Sequence, residues 1–112
     1  MTEPLPANAV VRVSRVTFDP SLFEAVAAAD LETAKYLKPA IERLPGLLHW
    51  YAGVSPTGSF VQFSIWDSDE HAAQMDELAE MRVRARDDFR AVGVSFSPEY
   101  ASIVHYPITW TI

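Results

Sequence analysis

The chain is predicted to fold as an α+β domain of the ferredoxin-like, split βαβ type, with one antiparallel sheet and both helices on one face of it. Two observations lead to this prediction. Apolar residues alternate in four short segments and recur at helical spacing in two longer ones, in the order β-α-β-β-α-β. In addition, 112 residues suffice for one hydrophobic core, and therefore for one domain.

Four segments with alternating apolar residues are the predicted strands. They span Val10–Phe18, Leu47–Val54, Phe60–Trp66 and Tyr100–Tyr106. The turn Ser55-Pro56-Thr57-Gly58 joins the middle two as a hairpin. The tail after Pro107 alternates apolar residues with threonines, which predicts a further short strand. Residues 1–9 contain two prolines and no apolar run, so we expect a flexible arm before a single domain of residues 10–112.

Two segments with apolar residues at helical spacing are the predicted helices. The first is Leu22–Leu44, with Ser21 as its candidate N-cap. Because Pro39 lies inside this pattern, we expect a bent helix, or two short helices of which Asp30 caps the second. The second predicted helix runs from an acidic cap to a glycine stop, that is, from Asp67 or Ser68 to Gly93.

The composition excludes several classes of function. The net charge of −6 argues against binding to nucleic acid and to anionic membranes. The absence of cysteine excludes disulfides and thiol catalysis. The three histidines, at positions 49, 71 and 105, lack close metal-ligand spacing, so we expect no metal and no cofactor. No segment has the roughly 20 apolar residues of a spanning helix, and we expect a cytoplasmic protein.

The predicted strand Phe60–Trp66 has two chemically different faces. One face is apolar and is expected to meet the core under the helices; it consists of Val61, Phe63 and Ile65. The other combines aromatic rings with an amide and a hydroxyl; it consists of Phe60, Gln62, Ser64 and Trp66. A face of this kind is typical of a strand that lines a partly enclosed cavity. We therefore take Gln62, Ser64 and Trp66 as candidate substrate-binding residues.

His49 and Tyr51 are the candidate catalytic residues. They share one face of the second predicted strand, and histidine titrates near neutral pH. If they point into the same cavity as Gln62, they supply a base and a phenol donor; the alternative is that they are polar residues at a sheet edge or subunit interface. Arg12 and Arg15 lie on opposite faces of the first strand, so at most one points inward, where it could hold a carboxylate or a phenolate. The alternative is an exposed or dimer-bridging arginine.

Two motifs resemble those of the antibiotic biosynthesis monooxygenase-like superfamily. One is Leu44-Pro45-Gly46 leading into a strand, and the other is Trp66-Asp67-Ser68-Asp69-Glu70 at a strand end. The resemblance covers about residues 10–106 and implies a dimeric α+β barrel of two ferredoxin-like subunits. A homodimer would also bury the apolar sheet face that the helices leave bare.

The resemblance extends to single residues only in part. Trp66 matches the tryptophan that recurs at the end of the third strand, although a purely packing role is the alternative. Aromatic-polyketide monooxygenases of this type have an asparagine where this chain has Gln62, and a tyrosine where it has Ala72. Haem-degrading members have an asparagine, a tryptophan and a histidine at positions that approximately correspond to Ser14, Met75 and Ala85. This pattern argues against haem degradation.

Taken with the resemblance, these residues predict a cofactor-independent monooxygenase of a small electron-rich aromatic compound of the phenol, quinol or anthrone type. The reaction needs a deprotonated substrate, a stabilised anion and a dry site. His49 or Tyr51 would handle the proton, and Gln62 and Trp66 would position the ligand. The alternative is a non-catalytic dimer of the same fold that binds a small ligand or acts as a stress or accessory protein; Ala72 and the short supply of acid–base groups favour it.

Overall fold

In a computed structural model, which describes residues 5–112, the chain forms a four-stranded antiparallel sheet in the order β2-β3-β1-β4. The strands are β1 (Val10–Thr17), β2 (Leu47–Ser55), β3 (Ser59–Trp66) and β4 (Ala101–Pro107). This order confirms the predicted ferredoxin-like fold class. The predicted strand after Pro107 is absent from the described chain; there the Ile108 N–H donates to the Ala9 carbonyl at 3.1 Å. Residues 1–4 of the predicted arm lie outside the described residues, and Ala9 is buried.

The first helix, α1 (Phe23–Glu42), is continuous and contains Pro39. It follows a short 3-10 turn, Pro20–Leu22, whose cap is the Asp19 carboxylate. The prediction of two short helices is therefore wrong, as are the caps expected at Ser21 and Asp30. Proline is tolerated because its position is solvent-exposed while the helix around it is held by packing. The residues that provide this packing are Leu37, Ala40 and Ile41.

The second helical segment is broken rather than continuous. It consists of α2 (Asp69–Ala72), a 3-10 turn (Ala73–Asp76), a π-helical turn (Glu80–Ala85) and α3 (Arg86–Arg90). As predicted, Ser68 caps its start, because the Ser68 hydroxyl accepts from the His71 N–H at 3.2 Å. Single π-helical turns are rare and often lie at functional sites. No helix within residues 5–112 is long and apolar enough to cross a membrane.

The strands give the sheet a covered face, which packs against the helices, and an open face. Residues of β1 and β3 on the covered face are Val10, Arg12, Ser14, Val16, Phe60, Gln62, Ser64 and Trp66. On the open face lie Val11, Val13, Arg15, Val61, Phe63 and Ile65. The prediction that the apolar face of β3 meets the helices is therefore wrong. The polar face of β3 is buried instead, and two polar side chains of the covered face find hydrogen-bond partners there: Arg12 pairs with Asp76, and Ser64 accepts from Trp66.

The core consists of two apolar clusters with polar residues between them. One cluster is built around Val10, Leu37, Ile41, Trp66 and Met75. The other is built around Val16, Val26, Phe60, Phe89 and Val94. Along β1, the covered face passes from the first cluster to the second through Arg12 and Ser14. The interior of the domain therefore has a polar middle section.

Candidate functional site

A small cavity, here called the inner chamber, lies at this polar middle section, between the covered face and the π-helical turn. Its volume is about 40 Å³, and aromatic and methionine side chains form its apolar walls. Its polar and charged lining comprises Arg12, Ser14, Gln62, Asp76, Arg82, Arg86 and Ser102. A cavity of this size has room for ordered water or for a small polar group.

Arg12 is the most deeply buried charged group of the inner chamber. Only 2% of it is exposed, and its Nη2 donates to Asp76 Oδ1 at 3.2 Å, while its Nε has no hydrogen-bond partner. Burial lowers the pKa of Arg12, and the bond to Asp76 opposes this effect. Of the two arginines of β1, Arg12 is thus the inward one, and Arg15 is exposed on the open face.

A larger cavity, here called the outer groove, lies between α1 and β2. Its volume is about 450 Å³, within the range of small-molecule sites. Leu37, Ile41 and Trp50 form apolar walls, and Asp30 and Glu42 of α1 are its acidic residues. Burial raises the pKa of the Asp30 carboxyl, because the charged form loses solvation there.

Gln62 lines both cavities. It is 5% exposed and lies on the covered face opposite Ala52 of β2, which also lines the outer groove. The amide has a donor and an acceptor end, so it can bind either a neutral or a negatively charged oxygen. Of the five candidate residues from the sequence, Gln62 is the one that borders these two cavities.

His49 and Tyr51 do not lie with the other candidates. Their partners across the antiparallel ladder are Ile65 and Phe63, so both side chains point to the open face, and their rings stack with centroids 6.4 Å apart. The expectation that they share a cavity with Gln62 is wrong. The physical reason is the alternation of the strand, which places every second residue of β2 away from the helices, after an irregularity in the register at Leu47/His49.

Trp66 and Ser64 form a buried pair rather than a cavity wall. Trp66 is fully buried, and its indole Nε1–H donates to Ser64 Oγ at 2.8 Å. Neither residue borders the inner chamber or the outer groove. The packing alternative for Trp66 therefore agrees with the structure.

Replacing Ser64 with alanine is expected to lower the free energy of unfolding by about 1–3 kcal/mol, because the indole N–H is left buried without a partner. Urea denaturation would measure the loss. The Ser102→Ala variant serves as control, since Ser102 is exposed and its loss should change stability by less than about 0.5 kcal/mol. An equal effect of the two variants would contradict a structural Trp66–Ser64 pair.

Sequence reasoning missed Asp30, Asp76 and Arg86 as cavity residues. Asp30 could have been found from its place among the apolar residues of the first helix, where an acidic side chain is unusual. Asp76 and Arg86 carried no such signal, because their place beside Arg12 in the lining of the inner chamber depends on the broken second helical segment. No group of three or more histidine, aspartate and glutamate side chains that could hold a metal ion occurs within residues 5–112.

Comparison with known proteins shows a likeness in structure. No family model and no curated protein matches the chain. A candidate antibiotic biosynthesis monooxygenase from Deinococcus radiodurans superposes with a TM-score of 0.66, at 15% identity over 92% of this chain and 95% of that one. Another, from Nitrosomonas europaea, also superposes with a TM-score of 0.66, at 21% identity over 96% of this chain and 97% of that one. A third structure is a Streptomyces coelicolor monooxygenase from the gene ActVA-Orf6, in complex with nanaomycin D. It superposes with a TM-score of 0.61, at 18% identity over 95% of this chain and 91% of that one.

These similarities establish that the chain has the fold of the antibiotic biosynthesis monooxygenases, over most of its length. The resemblance noted in the sequence is confirmed at the level of the fold.

Proposed function

We propose that the protein is a homodimeric, cofactor-independent monooxygenase that oxidises a small electron-rich aromatic compound of the phenol, quinol or anthrone type. The observation that carries this proposal is the outer groove, a cavity of about 450 Å³ with apolar walls, whose polar lining includes the Gln62 amide and the Asp30 carboxylate. Its apolar walls suit an aromatic ring, and the amide and the carboxylate suit the polar substituents of that ring. The shared fold with named monooxygenases supports the reaction class.

The proposed reaction needs a base, and Asp30 takes the place that the sequence assigned to His49 or Tyr51. The Asp30 carboxylate removes the substrate proton, and its raised pKa makes it a stronger base than an ordinary aspartate. The Gln62 amide N–H then stabilises the anion. The electron-rich anion supplies all four electrons that dioxygen accepts: one oxygen atom is inserted into the substrate, the other leaves as water with two substrate hydrogens, and the product is the corresponding quinone.

A second copy of the chain covers the open face in this proposal. That face carries large exposed apolar side chains, among which Phe63, Val104 and Tyr106 are 37%, 40% and 52% exposed. Side chains of this kind in one continuous sheet face mark an interface. His49 and Tyr51 then belong to the contact between subunits, and each subunit keeps its own groove on the covered face.

Replacing Asp30 with asparagine is expected to reduce turnover by about 100-fold or more, the usual contribution of a general base. The same change should raise stability at neutral pH. A half-buried carboxyl with a raised pKa contributes most to folding while it is protonated, and this contribution is lost as pH rises through its folded-state pKa. The neutral amide avoids that loss, so the gain in stability should disappear at acidic pH.

Oxygen uptake with model anthrones and quinols, combined with urea denaturation at several pH values, would test both expectations. Glu32→Gln is the matched control, because it removes an exposed carboxylate from the same helix. Unchanged turnover in Asp30→Asn would remove Asp30 from the mechanism. Binding of these compounds without any oxygen uptake would favour the non-catalytic ligand-binding alternative.

A further inference from the structure

We infer that the inner chamber is an oxyanion subsite, in which Arg12 and Gln62 bind the charged oxygen of an aromatic ligand, a carboxylate or a phenolate. That this ligand is also the substrate rests on the proposed function, whereas the binding itself does not require turnover. Three features of the chamber support the inference: an unmatched donor, an excess of positive charge, and a volume that fits a charged head group.

The first feature is the free N–H of Arg12. A guanidinium that is 2% exposed would normally have all its donors paired, yet the Nε of Arg12 is buried without a partner, and Arg12 borders a chamber with room for one. Asp76 occupies only the Nη2 side of the group. An oxygen placed at Nε would therefore complete the hydrogen bonds of Arg12 without displacing Asp76.

The second feature is the charge of the lining. Among the described residues that border the chamber, three arginines face a single carboxylate: Arg12, Arg82 and Arg86 against Asp76. Asp76 has a half-exposed side chain, and Arg86 lies over the ring of Phe96, with its guanidinium carbon 5.5 Å from the ring centroid. In a chain with a net charge of −6, this excess of positive charge is local. It favours a negatively charged ligand.

The third feature is size. A cavity of about 40 Å³ accepts a carboxylate or a phenolate oxygen but not an aromatic ring. Because Gln62 borders both cavities, the ring of such a ligand would lie in the outer groove and its charged oxygen would reach past the amide toward Arg12. The Gln62 N–H then supplies a second donor to that oxygen.

Titration of the purified protein with benzoate, p-nitrophenol and neutral benzamide would test the inference. Calorimetry measures binding of benzoate and benzamide, and the visible absorbance of p-nitrophenolate reports its ionisation on the protein. We expect benzoate to bind more tightly than benzamide, or p-nitrophenol to ionise at a lower pH when bound; the stronger of the two effects identifies the preferred oxyanion. Equal binding of charged and neutral rings would overturn the inference.

Three variants assign the effect to Arg12. Arg12→Met should weaken anion binding at least tenfold. Asp76→Asn should strengthen anion binding, because it removes the negative charge that repels an anion beside Arg12. Arg43→Met changes the same charge at an exposed position outside both cavities and should have no effect. Because Asp76→Asn retains the buried arginine, it tests the inference even if Arg12→Met fails to fold. If both Asp76→Asn and a folded Arg12→Met bind the aromatic anions with unchanged affinity, the Arg12 Nε–H donates only to water and the inference is overturned.

Oxygen uptake separates this inference from the proposed function. Arg12-dependent binding of an aromatic anion without any oxygen uptake would keep the oxyanion subsite and reject the monooxygenase. Turnover of a phenol or quinol that is the same in Arg12→Met as in the wild type would keep the monooxygenase and reject the subsite.

Discussion

Replacing Gly46 with alanine is expected to lower the free energy of unfolding by about 3 kcal/mol. Gly46 has φ = 88°, a conformation that disfavours any residue with a Cβ. An added Cβ would also lie 2.2 Å from His71 Nδ1 and 2.4 Å from Asp67 Oδ1. These two atoms are bonded to each other at 2.6 Å, so neither side chain can move away without breaking the contact. Urea denaturation would measure the loss.

Gly53→Ala is the matched control for this prediction. Gly53 lies within β2, and a Cβ there would meet no atom within 4 Å. Its replacement should change stability by less than about 0.5 kcal/mol. A second comparison separates strain from collision: His71→Ala should relieve part of the cost of Gly46→Ala, so the double variant should be more stable than the sum of the single changes predicts. Strict additivity would contradict the collision with His71.

Replacing Phe63 with glutamate is expected to weaken the proposed homodimer by at least about 100-fold, which corresponds to about 2.7 kcal/mol. Phe63 lies on β3 at the middle of the open face, opposite Val13 of β1 and Tyr51 of β2. A carboxylate there would be buried without a partner when two open faces meet, and a symmetric interface would bury two of them. Sedimentation equilibrium over a range of concentrations would measure the change.

Val83→Glu is the control for the dimer. Val83 is apolar and 56% exposed, but it belongs to the π-helical turn on the opposite side of the sheet from the open face. The variant adds the same charge and should leave the association unchanged. A monomeric wild type, or equal dissociation of the two variants, would show that the open face is not the interface.

The order of the elements could be predicted from the sequence because each strand and helix carries its own local pattern of apolar residues. The orientation of the sheet could not be predicted in the same way. Alternation shows that Gln62 and Phe63 point in opposite directions, but it does not show which of them meets the helices. The intuitive choice placed the apolar side inward and was wrong, because Arg12 and Ser64 find hydrogen-bond partners on the covered face, in Asp76 and Trp66.

The candidate site could be predicted only in part, because alternation does not show which face of the sheet meets the helices. An amide between aromatic residues of a strand predicts that Gln62 borders a cavity; in the structure Gln62 borders two cavities, but on the helix-covered face rather than on the side of His49 and Tyr51. The chemistry of His49 and Tyr51 suits catalysis, which is why the sequence places them in a cavity with Gln62. Their positions on β2 do not show which face of the sheet they occupy, and in the structure it is the open face. The inner chamber itself could not be foreseen. It depends on the contact between Arg12 and Asp76, which are 64 positions apart, and on a helical segment whose breaks are not marked by glycine or proline.

The position of β1 in the middle of the sheet has a consequence for how the protein is made. One edge of β1 pairs with β3, and its other edge pairs with β4, which follows β1 by more than 80 residues. During synthesis this second edge stays open until residues 101–107 have left the ribosome, and an open strand edge is a template for pairing with other chains. The late arrival of β4 therefore makes nascent chains, and chains truncated before β4, the species most exposed to aggregation.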